Sequence, residues 1–232
     1  TCRNRTKAQA MILAGQVFIN EKKILKSGEL INIDSKIKIL KLHSEWVSRG
    51  AIKLKHVFDT IDLNIKDYIC LDIGSSTGGF SEVLLKNHVK KIYAVDVGTN
   101  QLHEKLRKEN RIISMEKINA RYLNKKIISD IVDLIVCDVS FISMKKVIEP
   151  SLEILNKKKG LVIGLIKPQF EASRKEIKKG GVILDPKIHQ RICDDYKNWF
   201  FEKCSMNVYS IIESPIQGPK GNKEFFIIAK YN

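Results

Sequence analysis

Between residues 70 and 80 the chain reads Cys70-Leu-Asp72-Ile-Gly74-Ser75-Ser76-Thr-Gly78-Gly79-Phe80, an apolar run that ends in an acid and then a glycine-rich turn opening a helix. Gly74 lets backbone approach a ligand closely, while Gly78 and Gly79 permit the tight turn and close helix-to-sheet packing. A pyrophosphate cradle would have glycine where Ser76 stands, and Asp72 beside the turn disfavours an anion. A zwitterion carrying an amino group suits it better. The next apolar run ends in Ala94-Val95-Asp96, at the spacing where a carboxylate accepts hydrogen bonds from both hydroxyls of an adenosine ribose. S-adenosylmethionine meets both conditions. The expected cofactor contacts are therefore Asp72, Gly74, Ser75, Ser76, Gly78, Gly79, Phe80 and Asp96, with Asn119 and Asp138 completing the set.

The reaction depends on the residues just beyond the later strands. Amino-group methyltransferases commonly carry an Asn/Asp-Pro-Pro-aromatic turn after the fourth strand, and cytosine-C5 enzymes need a Pro-Cys nucleophile; here the sequence is Asp138-Val139-Ser140-Phe141. The fifth strand runs into Ile166-Lys167-Pro168-Gln169-Phe170, which places a lysine at the carboxyl edge of the sheet, followed by a proline expected to prevent a helix. Ser48-Arg49-Gly50-Ala51-Ile52-Lys53-Leu54 supplies a second lysine, and Gly221-Asn222-Lys223-Glu224-Phe225 a lone glutamate at the mouth of an apolar strand. Taken singly, each of these charges reads as a surface ion pair. Cys137, next to Asp138, sits among apolar neighbours and reads as strand packing.

Alternating strand and helix signals position these residues. Strands are expected near Tyr68–Ile73, Lys91–Val95, Arg111–Met115, Leu134–Asp138 and Leu161–Lys167, with helices near Gly79–Asn87, Leu102–Glu109, Met144–Leu155 and Ile188–Phe201. Val208–Ser214 and Glu224–Ala229 add two further strands. The pattern is that of an α/β fold, a mostly parallel sheet covered on both faces. Before residue 45 the organisation differs: a helix over Thr6–Ala14, a strand Gln16–Asn20 entering a turn at 21–23, and strands at Leu30–Ile33 and Lys36–Leu40. The expected division is residues 1–43, a linker 44–47, and residues 48–232.

Composition limits the function classes. A 44% hydrophobic content supports a buried core, and 41 Lys+Arg against 26 Asp+Glu leave a charge of +15 spread along the chain, which favours a polyanionic partner. No apolar stretch is long enough to span a bilayer, so stable membrane insertion is not expected. The start, Thr1-Cys-Arg-Asn-Arg, has no leader pattern and no initiator Met, which reads as a chain beginning inside a domain. The five cysteines, widely spaced and without a Cys-x-x-Cys pair, read as reduced thiols of a cytoplasmic protein, and no metal site is expected.

With these motifs in hand, Ser48–Leu54, Asp72–Phe80, Asp138–Phe141, Lys167–Glu171, Lys179–Pro186 and Gly218–Phe225 together resemble the TlyA family, historically labelled hemolysin A, which is similar to FtsJ-type ribose methyltransferases. The resemblance implies a Rossmann-like class I methyltransferase sheet flanked by helices, binding S-adenosylmethionine and methylating cytidine 2′-hydroxyls of ribosomal RNA, free or in ribosomal subunits. It implies a Lys-Asp-Lys-Glu tetrad, which falls on Lys53, Asp138, Lys167 and Glu224. The N-terminal segment, residues 1–43, resembles the latter part of the RNA-binding module named after ribosomal protein S-four, here a small, truncated α+β segment, with Arg5–Asn20 as the matching run. Arg5, Lys7, Gln9 and Arg49 are the expected RNA contacts, and Trp46 lies in what resembles the family's interdomain linker.

Methyl transfer from a sulfonium to a ribose oxygen needs no metal, but the hydroxyl must lose its proton as the bond forms. Lys167 is the expected residue to orient and deprotonate it. Two rivals belong to other classes: a membrane-active hemolysin, which needs an inserting amphipathic or apolar segment that the sequence lacks, and a catalytically silent RNA-binding protein, against which the intact tetrad argues.

Overall fold

The computed structural model describes residues 8–9, 11–12, 17–24, 26–39, 46–177 and 180–231. The chain forms two compact units, Thr1–Glu45 and Trp46–Asn232. In the smaller one, residues 8–9 and 11–12 are helical, and β1 (Val17–Ile19) pairs antiparallel with β2 (Lys22–Ile24) and with β3 (Ile37–Ile39). Asn20 and Glu21 both take positive φ, 46° and 66°, so the β1–β2 connection is a two-residue turn of the kind that matches strand twist. The turn expected over 21–23 is thus shorter than read, and Lys22 already starts a strand. The strand expected at Leu30–Ile33 does not form: Leu30 is 99% and Ile33 95% exposed, because among the described residues the stretch pairs with no neighbour and its apolar positions have no inner face to fill.

The larger unit is a seven-stranded sheet in the order β6-β5-β4-β7-β8-β10-β9. Its strands are β4 (Ile69–Ile73), β5 (Lys91–Val95), β6 (Ile112–Met115), β7 (Leu134–Cys137), β8 (Leu161–Ile166), β9 (Asn207–Glu213) and β10 (Phe225–Lys230). β4 to β8 pair in parallel, whereas β10 runs antiparallel to both β8 and β9. Successive residues feed opposite faces. Leu71, Ile73, Ile135 and Cys137 join one core cluster with Tyr196 and Phe200; Cys70, Ala94, Leu134 and Val136 join another with Leu54, Val57, Phe80 and Leu84. Cys137, wholly buried in the first cluster, packs as the strand residue it was expected to be.

The helices are α1 (Arg49–Thr60), α2 (Gly79–Lys86), α3 (Glu104–Arg107), α4 (Lys145–Ser151), α5 (Pro168–Glu171) and α6 (Pro186–Cys204). α3 and α4 are shorter than the expected 102–109 and 144–155. α1 was not anticipated, although Leu54, Val57, Phe58 and Ile61 stand at helical spacing. It buries Ala51, Lys53, Leu54 and Val57, and each of the two branched side chains contributes about 1.5–3 kcal/mol on burial. Pro168 does not prevent a helix but begins one: at the first helical position its fixed φ suits α5 and its missing N–H costs nothing. Because β4 has β5 on one side and β7 on the other, the strand order reverses there, and a crevice opens at the carboxyl ends of these strands.

Candidate active site

The crevice is built on the turn after β4. Gly74, at φ 81°, lies so close to the next segment that a Cβ would stand 2.6 Å from the carbonyl oxygen of Asp138, so only glycine lets these two strand ends meet. Two abutting clefts share Gly74, Ser76, Asp138 and Ser140. One, of ≈ 570 Å³, has apolar walls of Val97, Ile118, Val139 and Ile142 and includes Asp96 and Asn119. Asp96 Oδ2 accepts from the Ser76 N–H at 2.8 Å and Oδ1 from the Gly98 N–H at 2.7 Å. Asn119 Oδ1 accepts from the Arg121 N–H at 3.1 Å. The other, of ≈ 420 Å³, contains Ser75, Gly79, Phe80, Arg49, Lys53 and Lys167, with Gln217 and Gly218 across from them.

Two ion pairs meet this second cleft. Lys167 Nζ lies 2.5 Å from Asp138 Oδ1 and donates to Ser140 Oγ at 2.9 Å. Lys53 Nζ donates to Glu224 Oε2 at 2.6 Å, with Glu224 fully buried beneath it. Lys53 comes from the buried face of α1, Asp138 from the end of β7, Lys167 from the end of β8 and Glu224 from the start of β10. The Glu224 carboxyl packs against the backbone of Gly218, so that a side chain at position 218 would have to displace it. Its Oε1 has no hydrogen-bond partner among the described residues.

Some expected contacts fall elsewhere. Gly78, at φ 95°, faces Leu102 and Leu106 rather than either cleft, so its lack of a side chain serves packing against α3. Asp72 is fully buried and lies under the turn, because the strand's alternation turns it with Cys70 toward α2. There its Oδ2 accepts from Ser81 Oγ at 2.6 Å, while Oδ1 has no partner among the described residues. Arg49 is exposed and donates to the Gln217 carbonyl at 3.0 Å. Gln9 is half-buried in the helical residues of the smaller unit, whereas Arg5, Lys7 and Lys179 lie outside the described residues. Sequence reasoning did not single out Ser140 or Gln217. A hydroxyl two residues beyond Asp138 was the available signal for the first; the second had none.

Burial pushes the Asp72 carboxyl from its ordinary 3.8 up to about 7, against the Ser81 hydrogen bond and helped by the charges of Asp138 and Asp96. Between about pH 4 and 7 the folded protein therefore holds a proton that the unfolded chain releases. Stability falls as pH rises through this window, by about 4 kcal/mol in total. Asp72→Asn cannot titrate. Denaturant titrations should find its stability relative to wild type rising by about that amount from pH 4 to 8, and a constant difference would exclude a neutral Asp72.

Residues 46–231 match the FtsJ-like methyltransferase family. The protein named Hemolysin A of Brachyspira hyodysenteriae is 42% identical over 223 residues, which cover 96% of this chain and 92% of that one. The 16S/23S rRNA (cytidine-2′-O)-methyltransferase TlyA of Mycobacterium tuberculosis is 35% identical over 227 residues, 97% of this chain and 84% of its own. Among solved structures, a candidate hemolysin from Streptococcus thermophilus aligns with a TM-score of 0.80 at 36% identity, covering 100% of this chain and 84% of that one. With the glycine turn at the switch point of this sheet, the lysine–carboxylate pairs along the same strand edge, and relatives matching almost end to end, the chain belongs to the FtsJ-like methyltransferase family.

Proposed function

We propose that the protein transfers a methyl group from S-adenosylmethionine to the 2′-hydroxyl of a ribose, that of a cytidine, in ribosomal RNA, acting in the cytoplasm on RNA or on ribosomal subunits. The observation that carries this reading is the placement of Lys167, Asp138 and Lys53 on a cleft that abuts the glycine turn. Among the described residues no helix is long and apolar enough to cross a membrane.

The clefts fit the cofactor. Val97, Ile118, Val139 and Ile142 form apolar walls for a flat base, and the Asp96 oxygens keep lone pairs for ribose hydroxyls beyond the two backbone bonds they accept. Gly79 and Phe80 at the start of α2, whose N–H groups have no partner within the helix, line the second cleft and are placed to receive a carboxylate. When bound, the cofactor supplies an electrophilic methyl on a sulfonium sulfur. For this step Lys167 acts as the neutral amine: its lone pair accepts the proton of the ribose hydroxyl as that oxygen takes the methyl group, and Asp138 and Ser140 hold the nitrogen of the ammonium that results. Lys53, fixed by Glu224, contributes positive charge to the same cleft and so favours the developing alkoxide.

Asp96→Ala removes a ribose acceptor and frees the Ser76 and Gly98 amides. It should weaken cofactor binding about 10- to 100-fold by titration calorimetry, and unchanged affinity would reject the assignment. The reading as a whole is tested by incubating the protein with methyl-labelled cofactor and purified ribosomal subunits. Label should enter RNA; label confined to ribosomal protein, or absent, would contradict it.

A further inference from the structure

The segment that carries Asp138 and the segment that carries Lys167 are joined by contacts in sequence order. Asp138 and Ser140 both meet Lys167 Nζ, at 2.5 and 2.9 Å. The rings of Phe141 and Phe170 lie 5.0 Å apart. At the far end, Glu171 Oε1 accepts the N–H of Met144 at 3.1 Å and the hydroxyl of Tyr196 at 2.6 Å. The joined loop separates the two clefts: Val139, Ser140, Phe141 and Ile142 line the cofactor side, while Asp138, Ser140 and Lys167 line the other. Phe141 is 90% exposed and has a φ of 64°, a backbone state that a bulky residue keeps only where its surroundings hold it.

Glu171 stands at the end of α5, four residues after Lys167, and touches neither cleft. Its carboxylate is half-buried and is satisfied by groups from two other elements, the start of α4 and the middle of α6. Burial, reinforced by the Glu171 charge, raises the Tyr196 hydroxyl well above its ordinary value, so it remains a donor throughout the working pH range.

We propose that Glu171, braced by Tyr196, is a positioning residue for methyl transfer: by closing the far end of this ladder it fixes the 139–143 loop and so sets Lys167 against the ribose hydroxyl. The proposal rests on the methyltransferase reading. It requires a hydrogen-bond acceptor at Glu171 and not a negative charge, because both of its partners are donors. A loop displaced by an ångström misaligns the hydroxyl with the methyl group; it also shifts Val139 and Ile142, two of the four adenosine walls, but leaves Asp96, Val97 and Ile118 in place, so the larger loss falls on the chemical step.

The test compares Glu171→Ala, Glu171→Gln and Tyr196→Phe with wild type, using methyl-labelled S-adenosylmethionine and ribosomal subunits. Glu171→Ala should lower kcat about 10- to 100-fold while the KM for the cofactor rises no more than about 5-fold, and Glu171→Gln should retain at least about a third of kcat. Amide hydrogen exchange at Met144 should quicken at least about 10-fold in the alanine variant and stay near wild type in the glutamine one. The proposal is overturned if the alanine variant keeps its kcat, if the glutamine variant is as slow as the alanine one, or if cofactor KM rises in step with the loss. Should the alanine variant not fold, Tyr196→Phe decides: a kcat about 3- to 10-fold lower at unchanged cofactor KM supports the brace, and a wild-type kcat overturns it. A wild type that methylates nothing would instead remove the methyltransferase reading, and Met144 exchange would still report whether the ladder is closed by Glu171.

Discussion

Lys167→Ala should lower kcat by about 10²- to 10⁴-fold while the cofactor's dissociation constant stays within about 2-fold, the range expected for losing a positioned proton acceptor. The separation arises from where the residues lie. Lys167 stands on the cleft that includes Lys53 and Gln217, whereas Asp96 and the apolar walls form the neighbouring one. Lys167→Arg is the sharper variant, because a guanidinium keeps the charge and can reach Asp138 but does not release its proton at any accessible pH. It should be nearly as inactive as the alanine variant. Single-turnover rates with calorimetric affinities would measure both effects. An arginine variant that kept most of its rate would make Lys167 an electrostatic anchor and move the proton acceptor to Asp138, Glu224 or water.

Lys53→Ala should be the most destabilising change in the site. It leaves the Glu224 carboxylate, fully buried and held by that lysine at 2.6 Å, as an uncompensated charge. Breaking such a pair costs about 3–5 kcal/mol. In a chain of this size that lowers the melting temperature by roughly 6–20 °C. Replacing both partners with apolar residues, as in Lys53→Met with Glu224→Leu, should restore most of the lost stability, since no charge is left buried. It should not restore turnover, because the positive charge beside the hydroxyl is gone. Calorimetric melting of the single and double variants measures this directly, and a Lys53→Ala protein that melted like wild type would mean the pair is solvated despite its burial.

The site was legible wherever chemistry and strand ends coincide. Asp96, Asp138 and Lys167 each come directly after an apolar strand run, and such runs, buried on both faces, are visible as unbroken hydrophobic stretches. Lys53 was found as a residue but not as part of a helix, because α1 mixes lysines with its apolar positions and shows no capping bond at Ser48. Asp72 shows the limit of reading an acid beside a turn as a ligand contact. Strand alternation turned it under α2, where Ser81 nine residues on was its partner, and nothing local in the sequence records a bond across that distance. Leu30–Ile33 failed for the converse reason: alternation without a pairing strand does not make a strand. Glu171 was quoted only as the end of a motif, and its role became visible once α4 and α6 were placed around it.

The central claim is that the methyl group ends on a ribose oxygen whose proton is taken by Lys167. Ribosomal RNA methylated by the wild-type protein with isotopically labelled S-adenosylmethionine, digested to nucleosides and resolved by mass spectrometry, tests it most directly. The account predicts that the label is found in 2′-O-methylcytidine and is absent from the digest when Lys167→Arg replaces wild type. Label on the base, whether on a ring carbon or an exocyclic nitrogen, would contradict it.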